Sequence, residues 1–291
     1  MPYSVSDIDT STHGTRSLPN NSERSFDLTG RVAVVTGGYG VLGGIIASGL
    51  AASGVRVAVL GRRRDSAEAK ADAIRSAGGE ATALVADVLD ERQLCDARDS
   101  MQGIWREVDI LVNAAGGNVA RARNDDSSIF DVPVDAFDEV LRLNLHGTVL
   151  PSLVFGEAMA RRGSGCIVNI SSMASFQALS GVLGYSVAKA GIDNFTRWLA
   201  VDLARKHGDG LRVNAVAPGF FVSTQNRAVL IDGEGAPTPR ARTIISRTPM
   251  GRFGDPDELL GPVRWLCSDA ASFVTGVVIP VDGGFSAFSG V

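Results

Sequence analysis

Cysteine and histidine are scarce in this chain, with three of each among 291 residues. Cys95, Cys166 and Cys267 are odd in number, far apart and without CxxC spacing. That argues against a disulfide framework and against a zinc site. His13, His146 and His207 form no cluster. Nor is there an apolar stretch of the length that spans a bilayer. The opening residues, MPYSVSDIDT, have no basic start and no apolar core, so they do not read as a signal peptide. Excess charge is missing too. The formal net charge is −4 with Lys and Arg scattered along the chain, which leaves no electrostatic footprint for nucleic acid or an anionic membrane. The expected setting is soluble, reducing and cytoplasmic, with neither nucleic acid nor membrane as partner.

What is present is a globular composition, 45% hydrophobic, in a chain long enough for a sizeable core. Residues 1–26 are polar, rich in Ser, Thr and Asn, and without periodicity; they read as a flexible N-terminal extension. From Asp27 the texture changes. Arg31 to Thr36 (RVAVVT) is a short β-branched run ending in glycines, as expected of a buried parallel strand. Val41 to Ser53, apolar and small all round, reads as a buried helix. Val55 to Leu60, Ala81 to Ala86, Asp109 to Asn113, Cys166 to Ile170, Leu211 to Ala215 and Val277 to Pro280 read as further strands, with helices in most of the gaps. Asp65, with Glu68 three residues on, has the pattern of a capping box. Such alternation predicts an α/β fold, a single-domain doubly wound parallel sheet (Rossmann fold) over 27–291. Two long helices, Val134 to Ala160 and Gly184 to His207, are apolar on more than one face. Val187, Ile192, Phe195, Trp198 and Leu199 cannot all face one sheet, which predicts a subunit interface and a homotetramer. The end of the chain, GGFSAFSGV, carries Phe285 and Phe288 and should dock rather than fray.

Between the first strand and the first helix lies Thr36-Gly37-Gly38-Tyr39-Gly40-Val41-Leu42-Gly43. Glycines here let the backbone turn tightly and approach a pyrophosphate, to which the helix N-terminus offers N–H donors. At the start of a later helix stand Tyr185 and Lys189, one turn apart on one face. A tyrosine titrates ordinarily near 10, and a neighbouring ammonium favours the phenolate. The pair can therefore work as a general acid or base near neutrality. The chain has only three Tyr and three Lys. Ser172, thirteen residues before Tyr185 and just past the strand CIVNI, can hold a substrate oxygen near the phenol; Ser171 is the weaker candidate.

With these motifs the chain from about Asp27 onward resembles the short-chain dehydrogenases/reductases. The loop is close to their TGxxxGxG pattern, although the middle glycine falls on Val41 with Gly40 one place earlier. The resemblance implies a catalytic tetrad of Asn144, Ser172, Tyr185 and Lys189, in which Asn144 holds a water of the proton relay. It also implies cofactor contacts from Gly37, Gly40, Val41, Leu42 and Gly43, from the Asp87-Val88 adenine pair, and from Asn113, Ala114 and Gly116 of the segment NAAG. Pro218 and Gly219, with Val222 and Ser223 near the nicotinamide amide, complete that set. The implied cofactor is NAD(P). At the end of the second strand Gly61 takes the position of the acid that binds the ribose of NAD, and Arg62 follows, which favours NADP.

PGFFVSTQNR, TPMGRFG, the VLGG of the loop and the AAGGN after strand four resemble the D-mannonate oxidoreductase (fructuronate reductase) branch. The implied partner is a small-molecule sugar acid, with Asn118, Gln225, Asn226 and Arg227 as its contacts and Arg227 on the carboxylate. Arg121 and Arg123 read rather as exposed residues of a lid, and Arg247 and Arg252 as weaker carboxylate candidates. Two other readings stay open: a reductase of another polyol, hydroxy acid or 3-oxoacyl substrate, and a non-catalytic cofactor-binding protein.

Overall fold

Seven short runs rich in Val, Ile and Ala pair into one sheet: β1 (Val32–Thr36), β2 (Arg56–Gly61), β3 (Ala81–Val85), β4 (Ile110–Asn113), β5 (Gly165–Ile170), β6 (Leu211–Pro218) and β7 (Val278–Val281). This computed structural model describes residues 24–125, 127–222 and 227–290. The strand order is β3-β2-β1-β4-β5-β6-β7, and every pairing is parallel. The helices are α1 (Val41–Ala51), α2 (Arg64–Ser76), α3 (Glu91–Ile104), α4 (Val134–Leu141), α5 (Gly147–Arg162), α6 (Leu183–His207), α7 (Arg227–Leu230), α8 (Pro239–Arg247) and α9 (Leu260–Cys267).

Strand alternation sorts the core onto both faces of the sheet. Ala33 and Val35 of β1 pack with Ile46 and Leu50 of α1, Ile74 of α2 and Leu266 of α9. Val32 and Val34 point the other way, toward Leu94 and Met101 of α3, Phe155 of α5 and Leu199 of α6. All five β1 residues are buried, as a strand covered on both sides requires. The sequence runs and the observed strands agree to within a residue or two, except that β6 continues three residues past Ala215 to Pro218. Because β1 lies between β2 and β4, the chain leaves it in opposite directions. That opens a crevice at the carboxyl ends of these strands, the place where open α/β sheets bind ligands.

Local chemistry sets several ends. Asp90 caps α3 by accepting from Gln93 N at 3.0 Å, and Gly163, at φ 74°, ends α5 in the left-handed region. Two expectations need correction. Asp65 does not cap α2. Arg63 is the N-cap, without a side-chain bond, and Asp65 sits in the first turn. Glu68 is drawn to Arg64 at 3.3 Å, one turn away, instead of reaching back to a cap. The helix expected over Val134 to Ala160 is not continuous either. Its middle, Arg142–His146, is a π-helical segment between α4 and α5. Of the extension, residues 1–23 lie outside the described residues, and Arg24–Phe26 form a 3-10 turn.

Among the described residues, no helix is long and apolar enough to cross a membrane. No group of His, Cys, Asp or Glu there could hold a metal ion. The three cysteines are free.

Candidate active site

The crevice is a cleft of about 810 Å³ above the carboxyl ends of the strands. Its floor is the glycine loop. Gly40 N donates to Gly37 O at 2.8 Å and Gly44 N to Gly40 O at 2.7 Å, so the loop turns tightly into α1. Gly40 is the N-cap and Val41 the first helical residue. The shifted glycine is accommodated because no described non-glycine residue needs a positive φ. Gly37 does, at φ 60°, and a Cβ on it would stand 2.8 Å from Ala115 Cα. Thr36 ties this loop to the next, its Oγ1 accepting from Ala114 N and Ala115 N, each at 3.1 Å. A backbone cradle at a helix N-terminus, with no side chains filling it, fits the pyrophosphate of a dinucleotide.

One wall carries Ser172, Tyr185 and Lys189. Ser172 follows β5 and caps a 3-10 turn, its Oγ accepting from Ala174 N at 3.2 Å. Lys189 is 4% exposed. Its Nζ donates to Ile170 O at 2.7 Å and stands 5.4 Å from the centre of the Tyr185 ring. The phenol departs from expectation. Burial pushes Tyr185 above the ordinary tyrosine value, and a hydrogen bond with the Ser172 side chain opposes the rise. The ammonium lies over the ring face with one of its protons on Ile170 O, and burial has itself pulled Lys189 down to about 8. Ser171 also lines the cleft, but its hydroxyl is taken by the carboxylate of Asp193.

Asn144 sits in the π-helical segment, fully buried. Its Oδ1 accepts from Gly117 N at 3.0 Å, and its Nδ2 donates to Gly117 O at 2.7 Å and to Val140 O at 2.9 Å. Val140 O is the carbonyl that an unbroken α-helix would pair with the Asn144 N–H. The side chain thus competes with the helical ladder just where the helix widens. In this geometry the amide clamps the Gly116-Gly117 turn. A Cβ on Gly116 would stand 2.7 Å from Asn144 Oδ1 and 3.7 Å from Lys189 Nζ, so only glycine brings the backbone this close.

The other end of the cleft is lined by Tyr39, Gly61, Arg62, Arg63, Asp87 and Val88. Arg62 reaches Asp87 at 3.7 Å and is mostly exposed. Arg63 stacks over Tyr39, 5.1 Å from the ring centre, and its N–H donates to the Tyr39 hydroxyl at 3.3 Å. A Cβ on Gly61 would overlap the Tyr39 ring. Of the basic run Arg62-Arg63-Arg64 at the end of β2 the sequence reading singles out Arg62 alone, and it misses the role of Tyr39. The only signal available was an aromatic residue inside a glycine loop.

The cleft also gathers Leu42, Gly43, Ala114, Gly116, Pro218 and Gly219. Asn113 is not part of it. Its amide is spent below, donating to Ser152 Oγ at 2.8 Å and Asn169 Oδ1 at 2.9 Å, because alternation along β4 turns the side chain into the sheet–helix layer. Val222 packs with the lid cluster of Leu230, Ala241 and Ile244 rather than lining the cleft. Ser223, Gln225 and Asn226 lie outside the described residues. Asn118 is exposed, with its Oδ1 on Val119 N at 3.0 Å. Arg227 opens α7, also exposed, and is not among the residues lining the cleft. Arg121 pairs with Asp135 and Arg123 with Asp125 on the surface, as expected of lid residues. Arg252 is held by Glu258 at 2.7 Å. The chain end docks: Phe285 meets Phe220 edge to face with ring centres 5.3 Å apart, and Gln177 donates to Ser286 O at 2.8 Å.

A family model described as Enoyl-(Acyl carrier protein) reductase matches residues 40–286. UxuB of Bacillus subtilis, an uncharacterised oxidoreductase, is 44% identical over 91% of this chain and 98% of its own length. A solved structure from Haemophilus influenza, described provisionally as a D-mannonate oxidoreductase and holding NAD, is 41% identical with a TM-score of 0.86, covering 91% of this chain and 98% of the other. A gluconate 5-dehydrogenase from Burkholderia cenocepacia, in complex with NADP and tartrate, is 31% identical with a TM-score of 0.83, covering 92% of this chain and 100% of the other. Over nearly its whole length, then, the chain belongs to the NAD(P)-dependent short-chain dehydrogenases/reductases, oxidoreductases that act on CH–OH groups.

Proposed function

We propose that the protein interconverts a secondary alcohol and a ketone on a sugar acid of the D-mannonate and D-fructuronate type. The observation that carries this reading is the convergence of Ser172, Tyr185 and Lys189 on one wall of a cleft floored by the glycine loop. When bound, the nicotinamide cofactor supplies the hydride. Ser172 Oγ holds the substrate oxygen beside the phenol. Tyr185 Oη gives its proton to that oxygen in reduction and takes it back in oxidation. Lys189, anchored on Ile170 O, keeps two further ammonium protons for the cofactor ribose and the proton supply. Asn144 completes the set by fixing the Gly116-Gly117 turn, with Gly37, Gly40, Val41, Leu42 and Gly43 on the pyrophosphate.

NADP is the favoured cofactor in this reading. Gly61 offers no acid to a ribose 2′-hydroxyl, and Arg62 and Arg63 offer two guanidinium groups to a 2′-phosphate. The sugar-acid assignment is supported by the likeness to the Haemophilus and Burkholderia proteins. Arg227 remains the choice for the substrate carboxylate. Residues 27–291 form one domain, assembled as a cytoplasmic homotetramer through the apolar faces of α5 and α6.

The test is a reductase assay with NADPH against fructuronate, other keto sugar acids, neutral ketoses and a 3-oxoacyl thioester. The expected result is highest kcat/KM on a keto sugar acid. Preference for the thioester or a neutral ketose would overturn the substrate class. Binding of NADP(H) without turnover on any ketone would overturn the enzymatic reading of the site.

A further inference from the structure

We propose that Asp193 is a positioning residue of this site, whose buried carboxylate holds the Ser171-Ser172 turn against α6 and provides the counter-charge for the Lys189 ammonium. The inference rests on the roles given above to Ser172 and Lys189. Tyr185, Lys189 and Asp193 recur every four residues along α6, so one helix face carries all three. Asp193 is 5% exposed, and Lys189 is 4% exposed.

The carboxylate accepts from the Ser171 hydroxyl, and the Ser175 side chain beside it helps to hold its pKa down. Ser171 Oγ stands 3.4 Å from Lys189 O as well. Ser175 Oγ in turn donates to Ser172 O at 2.8 Å. Every hydroxyl of the turn that carries Ser172, apart from that of Ser172 itself, is thereby committed to Asp193, α6 or the turn's own backbone. The direction of Ser172 Oγ follows from that bracing.

The electrostatics run the same way. Among the described residues Asp193 has no ion-pair partner at contact distance. The charged groups that face it are Lys189 one turn before and Arg197 one turn after, both on α6, and the β5 side presents only the hydroxyls of Ser171 and Ser175. Burial raises Asp193, and those hydroxyls and cations hold it down. Burial lowers Lys189, and Asp193 holds it up. A carboxylate buried without a direct cation is costly. Here it keeps charged an ammonium that the low-dielectric wall would otherwise neutralise.

Three lysines in the whole chain, Lys70, Lys189 and Lys206, make a direct titration practical. With ¹³C-labelled lysine, the Lys189 signal is identified by its loss in Lys189→Met and followed against pH in wild type and in Asp193→Asn. The amide keeps the shape and an acceptor for Ser171 but removes the charge. The Lys189 midpoint should fall by about one pH unit, a shift of the size that a single near charge produces. The alkaline limb of kcat/KM should move down with it, since the ammonium is then lost at lower pH. A midpoint unchanged in the folded variant would overturn the proposal. If Asp193→Asn does not fold, Ser171→Ala replaces it. Loss of one hydroxyl donor raises the Asp193 carboxyl, so the acid limb of kcat/KM should move up, and an unmoved limb would overturn the proposal. Failure of the catalytic reading itself shows separately, as turnover surviving in Tyr185→Phe.

Discussion

The Tyr39 ring fills the space that a side chain on Gly61 would take, and it carries the Arg63 guanidinium 5.1 Å from its centre. A carboxylate at the end of β2 is therefore excluded by shape as well as by sequence. Gly61→Asp must push the ring aside, loosen the stacked Arg63 and set an acid where the ribose hydroxyl of NAD would meet it. The ratio of NADPH to NADH dissociation constants, read by nucleotide fluorescence, should swing toward NADH by about tenfold or more. That corresponds to one charged hydrogen bond of about 1.5–3 kcal/mol. An unchanged ratio would remove this position from cofactor choice.

Tyr185→Phe keeps the ring over which Lys189 lies and removes the hydroxyl. kcat should fall by about 10²–10⁴-fold, the range for a general acid, while NADPH titrates as in wild type. Near-normal turnover would mean that another group moves the proton.

Asn144→Ala leaves Gly117 N–H and C=O without their partners and frees Val140 O. Each polar group left buried and unpaired costs about 1–3 kcal/mol. The variant should unfold at lower urea concentration and lose activity, because the Gly116-Gly117 turn is no longer clamped. Wild-type stability would show that water can replace all three bonds.

Most of this architecture was legible in the sequence because it depends on local chemistry. Val-rich runs such as Arg31 to Thr36 are readable as buried strands, and glycines between strand and helix as a cradle. The Tyr185-Lys189 spacing places both groups on one helix face whatever surrounds them. What escaped depends on contacts between distant segments. Tyr39 meets Gly61 and Arg63 across twenty-odd residues, and Asp193 finds Ser171 across the sheet–helix boundary. Asn113 looked like a cofactor contact, yet its amide points into the layer below, where its Nδ2 donates to Ser152 and Asn169. The π-helical widening at Asn144 has no composition signal, since it arises from one side chain competing for Val140 O.

Lys189 also links activity to stability. Burial lowers its ammonium from 10.5 to about 8, so between these values the unfolded chain binds more protons than the folded one. Folding stability then rises with pH across that window, and the cost of burying the charge is fully present below pH 8. The difference in unfolding free energy between wild type and Lys189→Met, both without cofactor, should shift by about 3 kcal/mol in favour of wild type from pH 8 to 10.5. A pH-independent difference would mean that the ammonium is solvated in the folded protein.

The outer faces of α5 and α6 carry the last prediction. Trp198 is 63% exposed, Val201 57%, Leu153 52% and Val187 45%. A groove beside them is lined by Leu145, Val149, Leu150 and Phe195, with Trp198 at its edge. Ile192 and Leu199 of the same helix are buried against the sheet, so α6 is apolar on two sides and its own chain covers one. Large contiguous apolar surface of this kind marks an interaction site, and a tryptophan in its midst is the residue type that most often dominates an interface. In a symmetric assembly each copy would place Trp198 against the groove or helix of its partner, so that one substitution is felt twice across a two-fold contact. Trp198→Asp removes that apolar area and sets a carboxylate in its place. By light scattering at micromolar concentration, wild type should have the mass of a tetramer and Trp198→Asp that of a dimer or monomer. The monomer's cleft is untouched by this change, so NADPH binding should persist. A wild type that scatters as a monomer, or a variant still tetrameric, would move the interface off this face.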